Sequence, residues 1–397
     1  MSDIKSVAVA ARDLRRDGTP FLLATVVAVH GSSYRKPGAR LIIADDRRVA
    51  GSVSGGCLER ELIQRGWWHT SETGVALVSF DSRTGAQQDG EPQARTGCGG
   101  VVDILLEQIR PESTANPLEL VESVVATETE IAVLTVYRSS RAELPVGARR
   151  IIPARSGTRI TAVDSAERSL PAMLIDRARQ ALAAGGDKAF ANVALPDGSV
   201  EVLAERLRPP PHLFVFGAGA DAEPVVSLAS MLGWTCTLWD RHARFDTRAR
   251  FAAADHVCAG DVGAMRARID ASARPLAVVM SHDLEADRRA LQMLLPSRVQ
   301  YIGVLGPRRR TDRLLAALSA RRDPRLHAPV GLSLGAQTPD EIALAIAAEV
   351  QAVLTGAAVA RPAATRERAR AVHAPPGRKP IDAEALAEED RRREVAP

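Results

Sequence analysis

His212-Leu-Phe-Val-Phe-Gly217-Ala-Gly219-Ala-Asp221-Ala222 is the stretch that decides the fold of the C-terminal half. An apolar run ending in Gly-x-Gly-x-x-Ala reads as a strand turning into a helix, with glycines that let the backbone come close to whatever lies over the turn. Such a turn aims backbone N–H groups outward at a helix N-terminus, where a phosphate is stabilised. Asp240 closes the next apolar run, about twenty residues past Gly217, the spacing at which an acidic side chain bonds a ribose hydroxyl. Gly217, Gly219 and Asp240 are therefore candidate contacts for a nucleotide such as NAD(P). Against this, Asp221 and Glu223 put negative charge beside the phosphate position, so a scaffold that keeps the turn without a dinucleotide is the alternative to a nucleotide or pterin-phosphate ligand. Arg241, next to Asp240, would suit a phosphorylated ribose or simply be solvated.

Strand-like runs at 256–258, 277–280 and 301–305 follow, with helical patterns between them. That alternation implies a parallel, doubly wound sheet, and the C-terminal domain, residues 212–358, is expected to be Rossmann-like. Two motifs sit where such sheets bind ligands, at the carboxyl ends of strands. In Ser281-His282-Asp283, His282 could act as acid, base or hydrogen-bond donor, or merely cover a helix capped by its neighbours. In Gly306-Pro307-Arg308-Arg309-Arg310, cations in a first helical turn oppose the macrodipole, so Arg308 and Arg309 are candidate anion contacts, with a solvated basic face as the alternative. A last helix opens at Thr338-Pro339-Asp340-Glu341, a capping box with proline at its first position.

Pro209-Pro210-Pro211 marks the boundary upstream, since three prolines continue neither a helix nor a central strand. Residues 1–208 read as a mixed α+β domain: a helix over 2–15, strands at 21–30, 40–44, 75–81 and 101–108, and a helix from Cys57. From 111 to 208 the pattern weakens, with strands expected at 131–136, 157–163 and 199–204 and a helix near 171–184. Residues 359–397, rich in Arg, Ala, Glu and Pro, are expected to be a disordered tail.

Of the 397 residues 46% are hydrophobic and 25% charged, which suits a globular protein of about two or three folded units. There are 52 basic and 48 acidic residues, interleaved, and aromatics are 4%, so a nucleic-acid stripe is not expected. No charge-free apolar run is long enough for a bilayer, and Asp3, Lys5, Arg12 and Asp13 break any secretory core, which places the chain away from membranes and in the cytoplasm.

Four cysteines without a CxxC pair exclude a disulfide framework and the usual zinc spacings. Cys236 and Cys258 lie inside predicted strands and read as packing. Cys57 follows Gly55-Gly56 at the start of a helix, where unsatisfied N–H groups favour a thiolate suited to a soft metal or a sulfur atom. Cys98, in Gly97-Cys98-Gly99-Gly100, is likewise framed by glycines. A small buried hydrophobe is the plain alternative for either cysteine. Arg35, Lys36 and Arg40, in Gly31-Ser-Ser-Tyr-Arg35-Lys36-Pro-Gly-Ala-Arg40, are cationic and could meet an anion.

Taken in order, Gly31–Arg40, Gly51-Ser-Val-Ser-Gly-Gly-Cys57-Leu-Glu59, Gly97–Gly100, Phe216–Gly219, Ser281–Asp283, Tyr301-Ile-Gly-Val-Leu-Gly306 and Pro329–Ala336 before Thr338-Pro-Asp-Glu-Ile342 resemble the XdhC/CoxI family of accessory proteins for molybdenum hydroxylases. The chain departs from the family pattern at Ser333, where aspartate is usual, and at Pro307, where serine is usual. The resemblance implies a chaperone that binds molybdenum cofactor, assists its sulfuration with a cysteine desulfurase as sulfur donor, and delivers it to a xanthine dehydrogenase-type hydroxylase. It makes Cys57 the candidate contact to the metal or its sulfur. A homodimer is compatible with such an assembly. Two other functions remain open: an NAD(P)-dependent oxidoreductase using the glycine turn, and a thiol or sulfur-transfer enzyme using Cys57 with Cys98 as resolving thiol.

Overall fold

The computed structural model describes residues 3–82, 99–113, 116–153, 175–176, 188–195, 198–243, 245–320 and 323–357. In the C-terminal half, β10 (His212–Phe216), β11 (Thr235–Trp239), β12 (His256–Cys258), β13 (Pro275–Val279), β14 (Ile302–Val304) and β15 (Leu326–His327) form one parallel sheet in the order β12-β11-β10-β13-β14-β15. This is the Rossmann order, and the direction of winding reverses between β10 and β13. Every residue of β10 and β13 is buried, as a central parallel strand covered on both faces requires.

One face carries α4 (Ala222–Met231) and α9 (Pro339–Thr355) through Val225, Val226, Ile346 and Val350. The other carries α6 (Met265–Ala271), α7 (Leu284–Leu294) and α8 (Arg308–Ala317) through Ile269, Leu291, Leu294 and Leu314. A short helix, α5 (Phe245–Arg250), follows β11. The capping box at α9 forms as expected: the Thr338 hydroxyl accepts from Glu341 N at 3.3 Å, and Glu341 accepts from Thr338 N at 3.1 Å.

The N-terminal half is built on two antiparallel sheets. The first runs β3-β2-β1-β5-β4, from β1 (Phe21–Gly31), β2 (Arg40–Ala44), β3 (Arg47–Gly51), β4 (Val75–Asp81) and β5 (Gly100–Ile109). The second runs β7-β6-β9-β8, from β6 (Ile131–Ser139), β7 (Arg149–Pro153), β8 (Lys188–Leu195) and β9 (Gly198–Leu207). Strand alternation sorts the core. Leu22, Ala24 and Val26 of β1 face α2 (Cys57–His69), while Phe21 and Leu23 face α1 (Asp3–Arg16) and α3 (Pro117–Thr127). Farther along, Val27, Ala28 and Leu105 meet Tyr137 and Leu203 of the second sheet.

Five strands and helices were not expected: β3, α3, β7, β8 and β15. β3 carries the exposed Arg47 and Arg48, which hide its strand character but suit an edge, where charge blocks further pairing. α3 begins at Asn116-Pro117, where the asparagine side chain accepts from Leu118 N at 2.9 Å. The strand expected at 157–163, most of the helix expected at 171–184 and the tail expected at 359–397 lie outside the described residues.

The halves are joined by polar contacts. Lys5 on α1 reaches both oxygens of Asp255, at 2.7 and 2.8 Å, and the Trp234 carbonyl at 3.1 Å. Glu128 accepts from Ala273 N at 3.0 Å and lies 3.4 Å from His212 Nδ1.

Between the two N-terminal sheets the pairs Arg40–Glu205 and Arg149–Glu107 are buried. Arg149 grips Glu107 through two bonds of 2.7 and 2.5 Å, with 11% and 6% of the side chains exposed. A charge left there without its partner is strongly unfavourable. Arg149→Ala should therefore cost about 3–5 kcal/mol of unfolding free energy in urea, and an apolar replacement of both partners should recover most of it. Equal stability of wild type and single variant would show that this pair does not hold the sheets together.

Candidate functional site

Loops from three of the N-terminal motifs meet at one rim of the first sheet. Gly31 pairs with Gly100 across β1 and β5, and a side chain on either would collide with backbone: at Gly100 a Cβ would lie 2.3 Å from the Ser32 carbonyl oxygen, and at Gly31 3.1 Å from that of Gly99. Gly51 is as tightly placed, with a Cβ only 2.1 Å from the Arg40 carbonyl oxygen. Residues 32–38 form the loop above this rim, anchored by Gly38 N to Val26 O at 2.7 Å. Tyr34, 70% exposed, overhangs Gly55, and the Arg35 guanidinium lies 5.7 Å from its ring centre. Lys36 is exposed on the same loop.

Cys57 opens α2 beside this loop. Its sulfur is half-buried, 3.6 Å from Ser54 Oγ, and packs against the core under α2. Gly56 before it adopts φ 114°, a left-handed conformation that favours glycine, and open space surrounds the place where a side chain would stand. The sequence suggested unmet donors at this helix N-terminus; the structure supplies side-chain acceptors to the turn before the helix and to Leu58 N within it. Glu59, 6% exposed, turns back and accepts from Val53 N at 3.0 Å, Ser54 N at 2.8 Å, Gly56 N at 3.0 Å and Ser52 Oγ at 3.0 Å, as well as from the Ser54 hydroxyl. Leu58 N bonds Ser54 Oγ at 3.1 Å. Burial pushes the Glu59 carboxyl up, but the hydrogen bonds from Ser54 and its neighbours outweigh it and hold the group below the usual carboxylate range. Cys57 therefore rides on a turn wired from beneath by a carboxylate. The sequence signal was a glutamate at the third helical position, the acidic half of a capping box.

Arg40 has another use. Its guanidinium bonds Gly38 O at 3.0 Å and Glu205 on the second sheet, so it clamps sheet to sheet. Cys98 lies outside the described residues. Among the described residues no group of three or more His, Cys, Asp and Glu side chains is placed to hold a metal ion. Cys57 is thus a single soft donor and not part of a chelating set among them.

The second cluster lies at the switch point of the parallel sheet. Gly217, at φ 118°, lets β10 pass against the end of β13, where a Cβ would be 2.4 Å from Ser281 Cα. Asp240 is bonded inward: its oxygens accept from Ala218 N at 3.0 Å and His242 N at 2.8 Å, so it pins the glycine turn. His282, also left-handed at φ 60°, sets its ring over Gly219, with Nε2 3.3 Å from Asp221. Asp283 caps α7, accepting from Glu285 N at 2.8 Å, so the capping expected of this motif forms.

Arg308 and Arg309 are exposed, and the arginine that turns inward is Arg310. It bonds Asp287 at 2.7 Å, and Asp287, 1% exposed, also accepts from Ser281 N at 3.2 Å and from the Ser281 hydroxyl. Asp287 and Arg310 escaped the sequence reading because helical spacing, not a motif, brings them to the crevice. Glu223 pairs with Arg250, which also bonds Ala218 O at 3.4 Å, so its charge is met within the fold.

Comparison with known proteins accords with this arrangement. The family described as XdhC and CoxI matches residues 14–81, and the XdhC Rossmann domain matches residues 213–350. A Bacillus subtilis protein named as a probable xanthine dehydrogenase subunit is 28% identical over 345 residues, 85% of this chain and 94% of its own length. The Escherichia coli molybdenum cofactor insertion chaperone PaoD is 23% identical over 352 residues, 85% of this chain and 84% of its own. A solved Bacillus halodurans structure described as a xanthine dehydrogenase superposes with a TM-score of 0.67 at 26% identity, covering 90% of this chain and 96% of that one. Cys57 rides a glycine turn at one site and a Rossmann switch point forms the other, both in a chain matched by these two domain families; the chain belongs to the XdhC/CoxI family.

Proposed function

We propose that this protein is a maturation factor that carries molybdenum cofactor to a xanthine dehydrogenase-type hydroxylase. The observation that carries the reading is Cys57, a single half-buried sulfur on a glycine turn. One soft thiolate without further ligands among the described residues does not suit a free metal ion, which wants three or four protein donors. It does suit a metal that arrives already chelated, as molybdenum does on the dithiolene of molybdopterin, needing one more contact from the protein. Open space at Gly56 and Gly99 leaves room for a ligand to approach backbone, and Arg35 and Lys36 supply positive charge for its phosphate. The bound group would supply the metal and its sulfur chemistry; the chain's part is to hold, orient and shield it.

One relative is named for an insertion chaperone and another for a component of a dehydrogenase. The chaperone reading fits these residues better. Iron–sulfur electron relays take four cysteines per cluster, whereas this chain has four in all and at least Cys236 and Cys258 are committed to strands of the parallel sheet. Sulfuration extends the same reading: a thiolate that touches molybdenum also stands where a terminal sulfur is placed, and a cysteine desulfurase is then the natural donor partner. A homodimer would bring a second carrier site to the same target.

Purified from a host that makes molybdopterin, the protein should contain pterin and molybdenum, and Cys57→Ala should lose most of the metal while keeping its fold by circular dichroism. Pterin-free wild type would overturn the carrier role, and equal loading of the variant would remove Cys57 from it. Glu59→Gln should lower unfolding free energy by about 1–3 kcal/mol near neutral pH, because its amide would face backbone donors. Since the folded carboxyl lies below its ordinary 4.5, that advantage of wild type should be full above 4.5 and fade as pH falls toward the lowered value, read from paired denaturation curves. A pH-independent difference would mean the carboxylate's charge is not what secures the turn.

A further inference from the structure

α2 carries more than the sulfur at its head. Cys57 and Trp68 stand three helical turns apart, about 16 Å along the axis, and with Glu61 and Gln64 they fall on one side of the helix. Burial falls away along that stripe: Cys57 and Glu61 are half-buried, Gln64 is exposed, and Trp68 is 72% exposed. Arg60 and Arg65 flank the stripe and are exposed as well. We infer that this face of α2 docks the protein that takes the cofactor from the Cys57 rim, through a partner surface that sets carboxylates around an apolar recess. The inference rests on the carrier reading.

A tryptophan left in water forgoes the burial of a large apolar ring, and Trp, Tyr and Arg are the side chains that most often anchor protein interfaces. The backbone beneath Trp68 is fixed. At Gly66 a Cβ would lie 2.9 Å from Leu22 Cδ1, so α2 runs close against β1 here, and Trp67 packs against the core below. The helix end is closed by Ser71, whose N and Oγ bond the Trp68 carbonyl at 3.2 and 2.8 Å, and by Gln108 Nε2 on Thr70 Oγ1 at 2.8 Å. The His69 ring meets the indole edge to face, with centres 5.0 Å apart. An anchor already held in place loses little freedom on binding.

Charge selects the kind of partner. Arg48 stands on the α2 side of the sheet, because it pairs with Ile43, whose side chain packs under that helix, and Lys36 is exposed on the loop beside Cys57. Glu59 is buried and committed to the turn, which leaves Glu61 as the one acid of α2 that reaches the surface. The exposed acids Asp45, Asp46 and Glu72 sit on turns at the end away from the rim. Lys36, Arg48, Arg60 and Arg65 against Glu61 favour an acidic partner surface and repel a basic one. Tyr34, 70% exposed over Gly55, continues this surface past Cys57. A partner laid along α2 therefore reaches the sulfur at one end and Trp68 at the other.

Fluorescence anisotropy of the labelled full-length protein, titrated with a cofactor-free xanthine dehydrogenase-type hydroxylase, tests the face, with pterin and molybdenum measured in every preparation. Trp68→Ala and Arg60→Glu should each weaken binding at least tenfold and slow activation of the hydroxylase in step, while cofactor content and melting temperature stay those of wild type. Trp68→Tyr should keep most of the affinity. Raising salt from about 50 to about 300 mM should weaken wild type several-fold and Arg60→Glu much less. No binding by wild type, full affinity in Trp68→Ala, or affinity indifferent to salt would each overturn the docking face. A wild type that holds no pterin yet binds through Trp68 would overturn the carrier reading and leave the face standing; a loaded wild type matched in affinity by Trp68→Ala would do the reverse.

Discussion

Carboxylates whose lone pairs are met by backbone N–H groups, buried at Glu59 and Asp287 and half-buried at Asp240, hold both candidate sites in shape. A carboxylate out of water is costly, and it persists only when donors surround it. Glu59 gathers the amides of residues 53, 54 and 56 and so fixes the turn that presents Cys57. Asp240 gathers those of 218 and 242 and so fixes the glycine turn against the end of β11. Asp287 takes Ser281 N and Arg310 and ties the ends of β13 and β14 together. In each case a loop that would otherwise sample many conformations is given one.

This explains why the parallel sheet was legible and the sites only partly so. β10 and β13 are short apolar runs buried on both faces, bounded by glycine or polar turns, and such runs announce themselves. β3 does not, because an edge strand with two exposed arginines shows no apolar side to read. Cys57 stood out by its glycines, but the carboxylate that shapes the turn before it, Glu59, was not read as part of the site. Arg308 and Arg309 were chosen as cations in a first helical turn, but a helix turns consecutive side chains in different directions, and the arginine that pairs with Asp287 is Arg310. Arg40, chosen for its charge, serves a buried partner on another sheet that no local spacing could reveal.

A division of labour follows from the two halves. Among the described residues the antiparallel half presents one cysteine sulfur on a rigid rim, Cys57, outside any chelating set. The parallel half keeps the switch point of a nucleotide-binding sheet but sets a histidine ring on its glycine turn.

The bond from Lys5 to Asp255 also bears on how the chain is made. α1 leaves the ribosome well ahead of the parallel sheet, yet its polar anchor and the Trp234 carbonyl that shares it belong to a part of the sequence synthesised long afterward. Until then the helix has the apolar face it shares with α3 and the first sheet and the pairs from Arg15 to Glu119 and Glu122 on α3. An early segment is thus among the last to be locked, and its closure registers that both halves have been completed.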